Sequence, residues 1–354
     1  MGSAQSYIVA SLSVCSVYLG YVHIYCSYKS LKTNILNEDN LPSFLYLYIK
    51  YWTKARTRRT FDVCATGEAA VYTVLKCRLD THVLRSFCRA AGYGWDYPDA
   101  EFRDIPLSFP EFLCGRLLLM VLTDTRFRLS PAGLVRVRQS LKTLEPVDEL
   151  RKGPFTLQVR VLEYRHVDTG VEVDISLTAT SHTGRPVWES ILTLLSKHRL
   201  HQDSRYFPKT GNDNNHESGQ PDEPLPEAVK QVAVSVPLSP TLQSLWSCSD
   251  CFPHRLLSLT PRLFGCGSHV IPGLWTLSVC LAEIEKHKGV EVIAAPVSVT
   301  ARFEEPLLVT GKVMIKFWEM DKGRDQSSSR GVEFLMERDG GRNAVVGRVL
   351  KSSL

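Results

Sequence analysis

One short series of marks occurs twice in this chain, in the same order. Glu145-Pro146, Gly153, Gly170-Val171-Glu172 and Gly184-Arg185 are followed later by Glu305-Pro306, Gly311, Gly331-Val332-Glu333 and Gly341-Arg342. Gly170 follows Glu145 by 25 residues, and Gly331 follows Glu305 by 26. Matching order with near-matching spacing predicts a duplicated structural unit. The competing explanation is that glycine-rich hairpin turns recur in any antiparallel protein. The segments between the marks read as strands. Val171, Val173, Ile175, Leu177 and Ala179 alternate with Glu172, Asp174, Ser176 and Thr178. Val297, Val299, Ala301 and Phe303 alternate with Ser298, Thr300 and Arg302, and Lys312, Lys316 and Glu319 punctuate the run from Val313 to Trp318. Period-two alternation predicts antiparallel strands with one face on a core and one on solvent.

A strongly apolar helix precedes each copy. The first follows Ser108-Phe109-Pro110-Glu111, a cap sequence with proline and an acid in the first turn, and runs through Phe112, Leu113 and Leu117 to Leu122. Arg116 and the shortness of the run argue against a membrane span. The second begins at Pro272-Gly273, carries Leu274, Trp275, Leu277, Leu281 and Ile284, and ends in Lys286, His287, Lys288 and Gly289. Basic residues followed by glycine suit a helix C-terminus. One buried helix followed by three or more antiparallel strands, twice, requires a sheet wrapped around a central helix. That is the hotdog arrangement, and two such units would pair their sheets edge to edge. The expected class is therefore α+β, a tandem (double) hotdog.

The 354 residues and 44% hydrophobic content suffice for a sizeable core. A net charge of +5 is too small for a dedicated nucleic-acid binder, so no nucleic-acid partner is expected. Residues 7–28 contain no Lys, Arg, Asp or Glu. At ~1.5 Å per residue such a helix reaches roughly 33 Å, enough for a hydrocarbon core of about 30 Å. The uncharged leader Met1-Gly2-Ser3-Ala4-Gln5-Ser6 lacks the basic region of a signal peptide, which favours a retained transmembrane helix. Lys50, Lys54, Arg56, Arg58 and Arg59 follow it. They read either as a solvated linker or as a patch facing anionic headgroups, and they place the C-terminal body in the cytosol of a single-pass protein. Ten scattered cysteines read as reduced thiols. Cys248 and Cys251 form a CxxC with no second ligand pair nearby, so no metal is expected.

The stretch from Trp246 to Thr276 reads WSCSDCFPHRLLSLTPRLFGCGSHVIPGLWT. It is similar to the signature of MaoC-like hydratases (hydratase 2), in which a Ser/Gly-Asp-x-Asn-Pro-Ile/Leu-His run precedes a glycine turn and a His-Gly-Met/Leu. Asp250 falls on the family's aspartate, Pro253 on its proline, Gly265 on its turn glycine, and Gly273-Leu274 on the start of the hotdog helix. Phe109-Pro110, Gly133-Leu134-Val135 and Gly184 to Glu189 resemble the non-catalytic half of the double hotdog. The resemblance covers roughly residues 80 to 350. It implies reversible hydration of a trans-2-enoyl thioester to the (R)-3-hydroxyacyl form. An Asp and a His flanking one water supply base and acid, and backbone N–H groups at a helix N-terminus stabilise the enolate oxygen. Catalysis would then rest on Asp250, His254 and Gly273, and substrate binding on Arg255, Arg262 and His269.

The sequence departs from that pattern at the histidines. Phe252 stands at the asparagine position, Arg255 at the histidine position with His254 one residue early, and Pro272 at the histidine before the glycine. In a helix, one residue turns a side chain by about 100°. A bulge restoring His254, substitution by His269, and a site that keeps only its thioester cleft all remain open. Each residue also has a plainer role. Asp250 suits a helix cap, and His254 and His269 suit ordinary surface or core positions. Arg255 and Arg262 suit ion pairs or the phosphates of coenzyme A, and Gly273 suits helix packing.

The expected organisation is a membrane anchor at 1–30, a juxtamembrane basic lead-in at 31–79, and a first, non-catalytic unit at 80–201. A disordered linker at 202–227 separates these from a second unit at 228–354 that carries the motif. The expected function is a membrane-anchored acyl-thioester hydratase or dehydratase. A catalytically inactive acyl-thioester or lipid binder, or an acyl-CoA thioesterase, are the alternatives. No cofactor is implied beyond the coenzyme A or acyl-carrier thioester of the substrate. Fatty acyl thioester and membrane are the expected partners, and a homodimer is compatible with them.

Overall fold

The computed structural model describes residues 11, 13, 17, 18, 20–31, 33–58, 69–93, 105–197, 229–235, 273–305, 307, 311–320, 331–338 and 341–351. A π-helical turn (Gly20–Tyr25) leads into α1 (Cys26–Ser30), β1 (Ile35–Asn37), α2 (Phe44–Thr57), β2 (Val71–Cys77) and α3 (Thr81–Ala90). The first central helix is α4 (Phe109–Leu113) followed by α5 (Gly115–Thr123). Strands β3 (Leu134–Thr143), β4 (Phe155–Val167), β5 (Gly170–Thr180) and β6 (Pro186–Lys197) complete this half. The second half comprises β7 (Lys230–Ser235), α6 (Gly273–Lys288), β8 (Val297–Phe303), β9 (Lys312–Glu319), β10 (Gly331–Arg338) and β11 (Asn343–Lys351).

Among the described residues, the eleven strands form one sheet, in the order β1-β2-β4-β5-β6-β3-β8-β11-β10-β9-β7. Apart from β1, the order reads the same from both ends when β2, β4, β5, β6 and β3 are matched with β7, β9, β10, β11 and β8. The halves meet edge to edge at the antiparallel pair β3–β8, from Arg138 opposite Arg302 to Thr143 opposite Val297. One hydrophobic core runs through both halves, with α5 and α6 buried against the sheet.

The repeated marks occupy equivalent places. Gly170-Val171-Glu172 opens β5, and Gly331-Val332-Glu333 opens β10. Gly184 and Gly341 adopt φ of +80° and +76°, the left-handed region that a tight hairpin requires and a side chain disfavours. The turns close alike. The Ser181 N–H donates to the Arg185 carbonyl and the Arg338 N–H to the Arg342 carbonyl, each at 2.9 Å. Arg185 then reaches Glu145, and Arg342 reaches Glu305, at 3.4 and 3.1 Å. The duplication is structural, down to these pairs.

Two expectations are corrected. The polar face of β5 is not a solvent face at its centre. Asp174 and Ser176 are buried, and the Asp174 carboxylate accepts from Thr193 Oγ1 at 2.6 Å and Arg165 Nη2 at 2.8 Å. The Asp174 carboxylate can be buried there because Thr193 and Arg165 supply the hydrogen bonds that water would have made. The basic lead-in is not a bare linker either. Strand β2 pairs with β4, and α2 packs on α5 with Phe44 and Leu47 buried. Burial lowers the affinity of Lys50 for its proton, and Arg58 Nη2 donates to the Asp124 carbonyl at 2.5 Å. Arg56 is exposed, with its guanidinium 4.8 Å from the Trp52 ring centroid.

Among the described residues, no helix is long and apolar enough to cross a membrane. Of the expected span at 7–28, the described part carries exposed Val17, Tyr18, Tyr21, Ile24, Tyr25 and Tyr28, and the rest lies outside the described residues. The expected linker at 202–227 also lies outside them.

Candidate functional site

Helix α6 is described from Gly273 and is buried from Leu274 to Glu285, while Pro272 of its expected start lies outside the described residues. It ends where the Gly289 N–H donates to the Glu285 carbonyl at 2.9 Å. A helix buried along its length presents few backbone groups to a ligand. The N–H groups of a first turn are those without a partner inside the helix. In α6 that turn lies at the seam between the halves, beside Arg136 of β3 and Phe303 of β8. A Cβ on Gly273 would lie 2.8 Å from Arg136 Cδ, 3.2 Å from Arg136 Nε and 3.0 Å from Phe303 Cε1. The absent side chain therefore makes room for the arginine and the aromatic ring, whose centroid is 5.5 Å from the guanidinium carbon.

Arg136 is held from behind. Its Nη2 donates to Glu111 Oε1 at 2.5 Å and its Nη1 to Gln139 Oε1 at 2.9 Å. Gln139 Nε2 donates to Glu111 Oε2 at 2.5 Å and to Ser190 Oγ at 3.1 Å. Glu111, Gln139 and Ser190 are buried, and the Arg136 side chain is 11% exposed. A buried carboxylate is tolerated when its charge is paired and its lone pairs are satisfied, and this network does both.

The local cause is a β-bulge. In the β3–β6 ladder, Arg136 pairs with Leu194 and Arg138 with Thr193, so Val137 is an extra residue. In a regular strand, residues three apart point to opposite faces. The inserted residue brings Arg136 and Gln139 to one face. Behind them, Ser278 Oγ of α6 lies 2.7 Å from the Oγ of Ser108, the residue that precedes α4. Trp275 Nε1 donates to the Ala90 carbonyl at 2.9 Å, and Trp188 Nε1 to the Leu107 carbonyl at 2.7 Å. These bonds hold the heads of α6 and α4 in place.

Of the six residues expected at the site, Gly273 stands at the helix head. Asp250, His254, Arg255, Arg262 and His269 lie outside the described residues. Glu111 was legible only as a first-turn acid of a helix, whereas its carboxylate points to the seam and pairs with Arg136. Arg136 and Gln139 carried no signal, because a bulge cannot be read from residue alternation. Among the described residues, no group of three or more His, Cys, Asp or Glu stands close enough to hold a metal ion.

No protein-family model matches this sequence, and no curated protein matches it. Solved structures do share its architecture. HtdX of Mycobacterium tuberculosis matches 79% of this chain and 98% of its own, with a TM-score of 0.55 at 16% identity. A MaoC-like dehydratase from Phytophthora capsici matches 81% of this chain and 96% of its own, with a TM-score of 0.53 at 16% identity. A further Mycobacterium tuberculosis protein, described as having a double hotdog fold, covers 81% and 96%, with a TM-score of 0.50 at 11% identity. At these identities the likeness is one of fold, and the fold of this chain is the double hotdog.

Proposed function

We propose that this chain is an acyl-thioester hydratase or dehydratase of the MaoC-like kind. It would interconvert an enoyl thioester and its (R)-3-hydroxyacyl form in the second half. The observation that carries this reading is the head of α6. A glycine opens a buried helix at the seam of a double hotdog, and polar groups of the other half stand against it. A thioester carbonyl placed there would meet backbone N–H groups and the positive end of the helix dipole, which favour a developing enolate. Asp250 and His254 would flank the attacking water, the first as its base and the second as proton donor to the α-carbon. Arg255, Arg262 and His269 would bind the coenzyme A or carrier portion. The acyl chain would run toward the first half. The uncharged segment 7–28 and the basic residues after it support a membrane-held protein acting on long-chain substrates.

The test uses the whole chain, because α2 and β2 belong to the first half. Crotonyl-CoA and longer enoyl-CoAs should lose their conjugated absorbance in its presence. No loss above that of an Asp250→Ala variant would end the proposal.

Arg255 at the position of the family histidine favours a second reading, a protein that binds acyl thioesters without turning them over. It requires calorimetric binding of acyl-CoA, no hydration, and indifference to His254→Ala.

A further inference from the structure

The charged network at the head of α6 supports a more specific assignment, one that rests on the thioester reading above. An ion pair sealed between strands and helix is, for packing alone, no better than apolar residues of the same volume. Here both terminal nitrogens of Arg136 are committed, one to Glu111 and one to Gln139. Its Nε–H makes no hydrogen bond among the described residues. That nitrogen lies 3.2 Å from the point where a Gly273 side chain would begin. The fork is thus fixed from the rear while its remaining donor nitrogen lies beside Gly273 at the start of α6.

We propose that Arg136 is the first half's contribution to the reaction site, donating from Nε to the thioester oxygen and carrying the charge that collects there. When water adds, its oxygen bonds to the β-carbon. The double-bond pair moves between the α-carbon and the carbonyl carbon, and the carbonyl pair moves onto oxygen. The proton lost by water passes to the Asp250 and His254 pair, and a proton from that pair reaches the α-carbon as the carbonyl re-forms. Arg136 balances the oxygen charge between these events. Glu111 and Gln139 are positioning residues that hold its fork, and Ser190 accepts from Gln139.

Acetoacetyl-CoA provides the probe, because its enolate absorbs in the near ultraviolet and its keto form does not. Added to the whole chain at neutral pH, it should develop the enolate band on binding. Arg136→Lys should retain part of the band and Arg136→Gln should lose it. Removing Arg136 alone leaves Glu111 charged and buried, so the decisive variant is Arg136→Gln with Glu111→Gln, which leaves no unpaired charge and can still hydrogen-bond to Gln139. It should keep the melting temperature, lose the band, and lower kcat by about 10²–10³-fold with KM little changed, the range for deleting one oxyanion donor. An undiminished band in that folded variant, or no band with the unaltered chain, overturns the assignment. A band without hydration keeps Arg136 in this role and removes the hydratase reading. Hydration that is indifferent to Arg136 does the reverse.

Discussion

The heads of the two central helices are the most informative pair of places in the molecule. They begin equivalent elements in equivalent halves, and they are built in opposite ways. In the first half the helix is broken into α4 and α5 at Cys114, and its head is filled. Phe87, Phe109 and Phe112 pack with centroids 5.3 to 5.7 Å apart, and the Glu111 carboxylate is turned to the seam. In the second half the helix is continuous and starts with a glycine. The strands differ too. β4, β5 and β6 have 13, 11 and 12 residues, against 8, 8 and 9 for β9, β10 and β11. On the reading proposed above, a single reaction site at the head of α6 suffices, and the first half is left with longer strands, an aromatic-filled helix head and charged groups turned to the other half.

The largest expected effect removes the lead-in described in the first half. Deleting residues 1–58 takes away Leu36, Phe44 and Leu47, all buried. At roughly 1.5–3 kcal/mol each, their loss approaches the ~5–15 kcal/mol net stability of a whole domain. The shortened chain should lose its cooperative melting transition by circular dichroism. A transition like that of the full chain would mean that the first half stands without its extra helix, and the asymmetry would be decorative.

Next in size is the pair linking the halves. Glu111→Ala strands the Arg136 charge in the interior and should cost about 3–5 kcal/mol, the range for breaking one side of a buried pair. Replacing both residues by Gln should cost much less, and denaturant titrations of the two variants decide it. Equal losses would show that volume, not charge, matters at the seam.

A smaller effect is expected in acid, again in the first half. Burial disfavours the Asp124 carboxylate, yet hydrogen bonds from Arg126 and Tyr72 outweigh it and bring its pKa down to about 2. Folding therefore weakens proton binding. The stability it contributes, about 2 kcal/mol, is complete above roughly pH 4 and disappears as the pH falls through about 2. Denaturation between pH 5 and 2 should be steeper for the native chain than for Asp124→Asn.

How far these features could be read in advance follows from what each depends on. The start of α6 was legible because proline and glycine before an apolar periodic run constrain the backbone locally, and its end because Lys286-His287-Lys288-Gly289 does the same. The double hotdog was legible because the turn marks recur. The buried network was not, since it depends on the Val137 bulge and on where α4 settles against β3 and β6, and neither is a local property. The buried Asp174 and Ser176 escaped for a related reason. Alternation says which residues share a face, not whether that face is covered.

The repeat marks themselves should show the smallest effects of all, and the reason bears on how duplication is detected. Arg185 and Arg342 are largely exposed, and each pairs with the glutamate that opens its own repeat. Exposed pairs of this kind contribute about 0–1 kcal/mol. Glu305 also has Arg338 at 3.4 Å, so Arg342→Ala should cost less than Arg185→Ala, and both should lie within about 0.5 kcal/mol of the parent in thermal melts. Gly184→Ala and Gly341→Ala should each cost more, about 1–2 kcal/mol, because a side chain must then adopt the left-handed conformation. If the arginine variants prove the costlier, the paired charges rather than the turns hold the hairpins. If the glycine variants do, the marks that betray the duplication persist because backbone geometry requires them, while the stronger interactions around them were free to diverge between the halves.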